Sequence, residues 1–291
     1  MATEAPAQPE KRFSIGDLLG YWQVGVLLAV LAVAFWGVLK GLYGRWVLDE
    51  PSGGGPLVPL AAGYLVWQMR DQLAATPARG DNRGLAVMLL GVLSFWAGRW
   101  ADDIFLPTGI GLLLVGWGLV LWLGGREWAR LLAFPIGFLF FMLPLPLIGP
   151  VTVPVQVALT SIAGRLTAAM GIPLEIRGTQ ILMGGQLITV DPGCAGMRFL
   201  LTLVAAAFFV AYLTPATLWR RAILVALSVP LALVINLARI ELSVLLGRAF
   251  GLAAARGVSH SATGIVVFAV GVICLAYMTR YICAPQTGDG S

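Results

Sequence analysis

The chain has 291 residues, 59% apolar and only 11% charged, with a mean hydropathy of +0.88. A soluble domain carries about twice that charged fraction, so the composition excludes an ordinary globular enzyme and predicts an all-α polytopic membrane protein. The net charge of +5 does not indicate nucleic acid, because the basic residues sit mainly in short loops between apolar runs, where membrane orientation places them.

The opening stretch MATEAPAQPEKRFSIGD is polar and of mixed charge, and no small-residue cleavage site follows the first apolar run. Residues 1–17 therefore read as a cytoplasmic tail rather than a signal peptide. Eight apolar runs follow, at 18–40, 56–69, 84–100, 104–123, 131–149, 194–213, 222–246 and 260–282, most of them near the ~20 residues that cross a bilayer. They make one multi-pass domain over 18–283, with a short tail at 284–291. With the N-terminus inside, alternation leaves the Arg126 and Arg130 cluster and the Arg220–Arg221 pair on the cytoplasmic side, as the bias of basic residues toward inner loops requires. The runs GIGLLLVGWG and FMLPLPLIGP read as close-packing and kinking surfaces of membrane helices.

The longest outer segment, about 150–193, has two parts. VTVPVQVALTSIAGRLTAAM intersperses Gln156, Thr160, Ser161 and Arg165 among apolar residues, which predicts an amphipathic helix at the interface or a half-buried cover. IPLEIRGTQILMGGQLITV alternates apolar and polar residues around a Gly-Gly pair, which predicts a small β-hairpin. It delivers the chain to a helix that begins at Cys194.

Two arginines, Arg198 and Arg239, fall inside apolar runs, where an ionised side chain costs a few kcal/mol on insertion scales. Arg198 lies four residues past Cys194 and so shares its face. Arg239 has Asn236 three residues before it on the same face, and its bland reading is an ion pair with Glu241 or a structural contact to a neighbouring helix. His260, the single histidine, opens the last run. The thread carries Cys194, Arg239 and His260 to the outer side of the membrane.

Those residue types suit thiol acyl transfer. Asp191, Pro192 and Gly193 read as a helix cap and first turn, which sets the Cys194 thiol where the helix dipole favours thiolate. Histidine can both accept and return a proton near neutral pH. Arginine stays protonated and can favour the thiolate and bind an oxyanion, a role open to Arg239 and to Arg198. Cys274, mid-span, and Cys283, near the inner end, have no charged neighbour and read as packing thiols too distant from Cys194 for a disulfide. Three cysteines and one histidine are too few for the usual zinc sites, and phosphate-binding and serine-hydrolase motifs are absent. No metal or other cofactor is expected.

In order and spacing, FMLPLP, the hairpin region, VDPGCAGMRFL, NLAR and the late His260 with its apolar helix resemble the exosortase/archaeosortase family, and GPLVPLAAGYLVW resembles its N-terminal pattern. The resemblance covers roughly residues 50 to 275. It implies a cysteine protease and transpeptidase of the bacterial inner membrane with its active site facing the periplasm. Its substrates would be exported proteins ending in a Pro-Glu-Pro-like motif, a transmembrane helix and a basic tail. They would be cleaved on the outer face through a thioester that an amine or hydroxyl acceptor, such as an exopolysaccharide or another envelope component, or water, resolves, and membrane lipid would surround the protein. Motif matching makes Cys194 the nucleophile, Arg239 the essential arginine and His260 the third catalytic position, with Arg198, Asn236 and Asp191 as supporting or alternative residues. Ala195 stands where the family usually has serine. Two other readings stay open: a transporter whose Arg198, Arg239 and Asn236 line an anion path, and a non-catalytic part of a polysaccharide-export complex.

Overall fold

The computed structural model describes residues 25–26, 29–48, 55–101, 105–144, 148–183, 186–189, 197–251 and 258–283. The chain divides into two compact units, Met1–Gly41 and Leu42–Ser291. The described part of the first is mainly helical, and helix α1 (Trp36–Leu48) closes it and opens the second. In the second unit follow α2 (Leu57–Gln68), α3 (Arg70–Ala75), α4 (Arg83–Trp100), α5 (Phe105–Leu131) and α6 (Ala133–Phe138), which runs into a 3₁₀ turn at Leu139–Met142. Near its C-terminal end α1 is fastened within this unit, as the indole of Trp46 donates to the Met142 carbonyl at 3.1 Å and the Arg45 guanidinium lies 5.0 Å from the Phe105 ring centroid.

The hairpin of α4 and α5 shows how glycine spacing dictates packing. Gly84, Gly91 and Gly98 are buried along α4, and Gly111 and Gly118 along α5. A spacing of about two helical turns puts each set on one stripe. A Cβ on Gly118 would stand 2.7 Å from the Met88 nitrogen and 2.8 Å from the Gly84 carbonyl oxygen, and one on Gly91 would stand 2.8 Å from the Val115 nitrogen. The backbones meet directly, which is how membrane helices gain dispersion contact where lipid removes the hydrophobic drive. The stripe ends at Gly125, whose φ of 81° breaks α5 and whose missing side chain admits the Arg79 carbonyl. Loop 76–82 seats on that break: the Arg79 and Asp81 amides donate to the Gly124 and Leu121 carbonyls, and Arg126 pairs with Asp81 at 2.9 Å.

The sequence predicts eight spans. Among the described residues three helices are long and apolar enough to cross a bilayer, Phe105–Leu131, Leu218–Phe250 and Thr263–Ile282, whereas Leu57–Gln68, Ala133–Met142 and Phe199–Leu213 are shorter apolar helices. The α2 segment has 12 residues; at 1.5 Å per residue it covers about 18 Å of a ~30 Å hydrocarbon core. The run at 131–149 is not one helix, because Leu143 is extended (φ −80°, ψ 138°), as a residue before proline tends to be. Much of the 18–40 run lies outside the described residues. Large apolar side chains such as Leu60, Leu89, Trp100, Val234, Ile265 and Tyr281 are exposed around the helices, the surface of a protein solvated by lipid.

The segment at about 150–193 opens within α7 (Ile148–Ala169), and of the two expectations for it the half-buried cover is the one the helix fits. Thr152, Gln156, Thr160 and Thr167 recur at helical spacing and are buried, while Val153, Val157, Ile162 and Leu166 point outward. An interfacial helix turns its polar face to water. This one turns it toward the protein. The β-hairpin becomes a three-stranded antiparallel meander of β1 (Glu175–Arg177), β2 (Gln180–Met183) and β3 (Gln186–Thr189), in which Arg177 faces Gln180 and Met183 faces Gln186. The predicted pair around the two glycines is β2–β3. The additional strand β1 is joined through Gly178, whose φ of 61° suits a tight turn.

Three helices complete the fold, α8 (Met197–Leu213), α9 (Leu218–Phe250) and α10 (Val258–Ile282). Leu203, Ala207 and Ala211 of α8 meet Leu224 and Ala232 of α9 and Leu275 of α10 in one buried cluster, which also holds Cys283. A second cluster joins Leu159 and Ala163 of α7 to Ile181 of β2 and to Ile240 and Val244 of α9. The sheet and α7 therefore cover the second half of α9, leaving β3 to lead toward α8.

Candidate functional site

The deepest charge in the described structure is placed by three helices. Arg239 of α9 is only 7% exposed. Its guanidinium carbon lies 4.7 Å from the centroid of the Phe199 ring on α8. A Cβ on Gly264 of α10 would stand 3.2 Å from one guanidinium nitrogen and 3.3 Å from both the guanidinium carbon and the Phe199 ring edge. Glycine at 264 thus makes room for the planar group against the ring. Such stacking suits arginine, which is more weakly hydrated than an ammonium, and is worth ~2 kcal/mol when desolvated.

Beyond this contact lies a group of aromatic side chains. The Phe199 ring packs against Phe268, with centroids 5.4 Å apart. Phe268 in turn lines a cavity of about 280 Å³ with Phe138, Phe141, Phe209 and Leu201. Glu241, one of the partners open to Arg239 in the sequence, is two residues further along α9 and accepts a hydrogen bond from the Thr167 hydroxyl at 2.9 Å, which ties α7 to α9. The Ser243 hydroxyl donates to the Arg239 carbonyl at 3.0 Å. Asn236 is 3% exposed, and neither atom of its amide makes a hydrogen bond among the described residues.

Comparison with known families decides where the chain belongs: residues 46–277, well over half of it, match the model described as transmembrane exosortase. The chain belongs to the transmembrane exosortase family. No curated protein and no solved structure matched it. It is accordingly a membrane protein, with exosortase helices surrounding Arg239.

Within this exosortase fold the residues singled out from sequence fall as follows. Cys194 and Asp191 lie outside the described residues, between Thr189 of β3 and Met197 of α8. Arg198 is on α8 immediately before Phe199, and His260 is on α10. His260 stands four residues before Gly264, one helical turn or ~6 Å along the axis. The backbone therefore carries His260 to within a turn of the glycine that Arg239 touches, and Arg198 to the residue beside its ring. Cys274 and Cys283 are free thiols; Cys283 is buried with Ala211 and Leu224.

Phe199 and Gly264, which shape the arginine's seat, were not legible as site residues. Their signals exist in hindsight: an aromatic directly after an intramembrane arginine, and a glycine one turn after the single histidine. Both are too common in membrane helices to point anywhere before the helices are assembled.

Proposed function

We propose that this exosortase is a cysteine endopeptidase and transpeptidase of the bacterial inner membrane that works on the periplasmic face. The observation that carries the reading is the buried guanidinium of Arg239, held between Phe199 and Gly264 at the ends of the helices that Cys194 and His260 belong to or adjoin in sequence. A fixed cation in a low-dielectric site is suited to binding charge that develops on a carbonyl oxygen.

The Cys194 thiolate adds to the scissile carbonyl carbon, and the displaced π pair goes to the oxygen, where Arg239 receives it. Collapse re-forms the carbonyl and breaks the C–N bond, and His260 gives the leaving amine the proton it took from the Cys194 thiol. The remaining thioester is attacked by an amine or hydroxyl acceptor of the envelope, or by water, whose proton passes to His260; the C–S bond breaks and the thiolate leaves, ready for protonation. The substrates are exported proteins ending in a Pro-Glu-Pro-like motif, an apolar span and a basic tail. The apolar cavity reached through Phe268 offers room beside the site for side chains of such a span.

An anion path, the rival reading, calls for arginine accessible to a passing ion, and a guanidinium only 7% exposed and stacked on a ring favours a fixed catalytic charge. The deciding experiment co-expresses a tripartite reporter with the wild-type chain and with Cys194→Ala. Wild type processes the reporter and the variant leaves it full length; processing by Cys194→Ala overturns the mechanism, and a harmless Cys194→Ser points to a scaffold.

A further inference from the structure

Asn236 is a buried polar side chain beside the arginine that the proposed chemistry leaves unused. It lies on α9 one turn after Ala232, which packs with Leu203 and Leu275, and three residues before Arg239, which packs with Phe199 and Gly264. Asn236 is thus layered between the apolar core of α8, α9 and α10 and the arginine's seat. It is 3% exposed, and both its amide nitrogen and its amide oxygen are buried without a hydrogen bond among the described residues.

Buried polar groups are nearly always paired, since an orphaned one loses its hydration with nothing in return. Here a donor and an acceptor on one side chain are both orphaned. A partner that completes them presents an acceptor and a donor together on one side, which is what a single residue of an extended chain does with its own N–H and C=O. The proposed reaction brings such groups: a chain extended for cleavage exposes backbone amides, and inside a membrane there is no water to satisfy them. Asn236 sits ~4.5 Å from Arg239 along the helix axis, a little more than the rise per residue of an extended chain.

We propose that Asn236 is a positioning residue that receives the backbone N–H and C=O of one extended substrate residue next to the bond polarised by Arg239. The inference rests on the acyl-transfer reading. It makes the substrate at that point an extended peptide, not a helix whose amides are already satisfied. It also gives the asparagine a cost in the free protein that is recovered when substrate binds.

The test uses the full chain purified in detergent and a synthetic peptide carrying Pro-Glu-Pro, an apolar span and an arginine tail. Cleavage rates and thermal unfolding are measured for wild type, Asn236→Leu and Asn236→Gln. With Asn236→Leu the unfolding midpoint holds or rises, KM for the peptide increases at least tenfold, and Asn236→Gln recovers part of the loss. Replacing the backbone amides beside the scissile bond one at a time by esters slows the wild type at one position and leaves Asn236→Leu indifferent there. A fallen midpoint for Asn236→Leu makes the residue structural and overturns the proposal, whatever the activity. So does a loss confined to kcat with a displaced pH profile, which would place Asn236 on the proton-transfer side. A wild-type chain that leaves the peptide intact overturns the acyl-transfer reading itself, and this role with it.

Discussion

The guanidinium of Arg239 lies over Phe199 with its central carbon 4.7 Å from the ring centroid, and Gly264 stands beside both groups. A lysine at 239 keeps the charge and loses both the fork and the stack. Arg239→Lys is expected to lower reporter processing at least 100-fold, the scale seen when an oxyanion donor is removed. Phe199→Leu, which keeps bulk and removes the ring, is expected to lower it about tenfold. Arg198→Lys retains most of the activity. Immunoblots of processed reporter check all three, and a larger loss for Arg198→Lys than for Arg239→Lys exchanges their roles.

Gly264 is held to glycine by contact. A methyl group there would come within 3.3 Å of the guanidinium carbon and the Phe199 ring edge, inside the ~3.5–4.0 Å of comfortable carbon contacts. Gly264→Ala displaces the arginine by a few tenths of an ångström and reduces processing about tenfold, and Gly264→Leu abolishes it. Gly271→Ala is the control on the same helix, because a methyl there meets Ile235 at 3.6 Å, an ordinary contact. Equal effects at 264 and 271 would remove the arginine's seat from the explanation.

The glycine stripe between α4 and α5 predicts a stability effect away from the site. Gly91→Leu and Gly118→Leu force side chains into backbone contacts of 2.8 Å and 2.7 Å and should destabilise the chain by ~1–3 kcal/mol or more. Gly116→Ala, with nothing within 4 Å of the new methyl, should be neutral or slightly stabilising. Thermal unfolding in detergent separates the two classes.

Asp81 makes the loop contact at Gly125 sensitive to acid. The Arg83 backbone N–H donates to its carboxylate at 3.0 Å and Arg126 pairs with it at 2.9 Å, which together hold its pKa below the ordinary 3.8. A lowered folded pKa means that the contribution to stability is present at neutral pH and is lost as pH falls through the folded value. Wild type should therefore lose a small increment of stability below pH ~4 that Asp81→Asn lacks at every pH, and salt should shrink the difference because the pair is exposed. Unfolding midpoints across pH 3–7 check the sign.

The predicted elements match the structure where a local signal was strong. The apolar runs at 104–123, 222–246 and 260–282 correspond to α5, α9 and α10, and the alternating residues before Cys194 correspond to β2 and β3. The run at 131–149 is not one helix because hydropathy does not register what Pro144 does to Leu143, and the sequence leaves α7 open between an interfacial helix and a half-buried cover because periodicity locates a stripe without saying what it faces. Chemistry was legible as cost: an arginine in an apolar run has to be compensated, so Arg239 could be singled out before its partners were known.

By itself the sequence determined that the chain is a helical membrane protein and, through the order of its motifs, a member of the exosortase family. The tertiary structure alone decided that Phe199 supports the guanidinium, that Gly264 admits it, that Glu241 takes its hydrogen bond from Thr167, and that Asn236 is sealed in without a bond among the described residues. Hydrophobic period and charge cost are properties of a segment a few turns long, and they survive in a string of letters. Which atoms meet where α8, α9 and α10 cross depends on the approach of helices from distant parts of the chain, and a difference of a few tenths of an ångström there decides whether a glycine is a spacer or a seat.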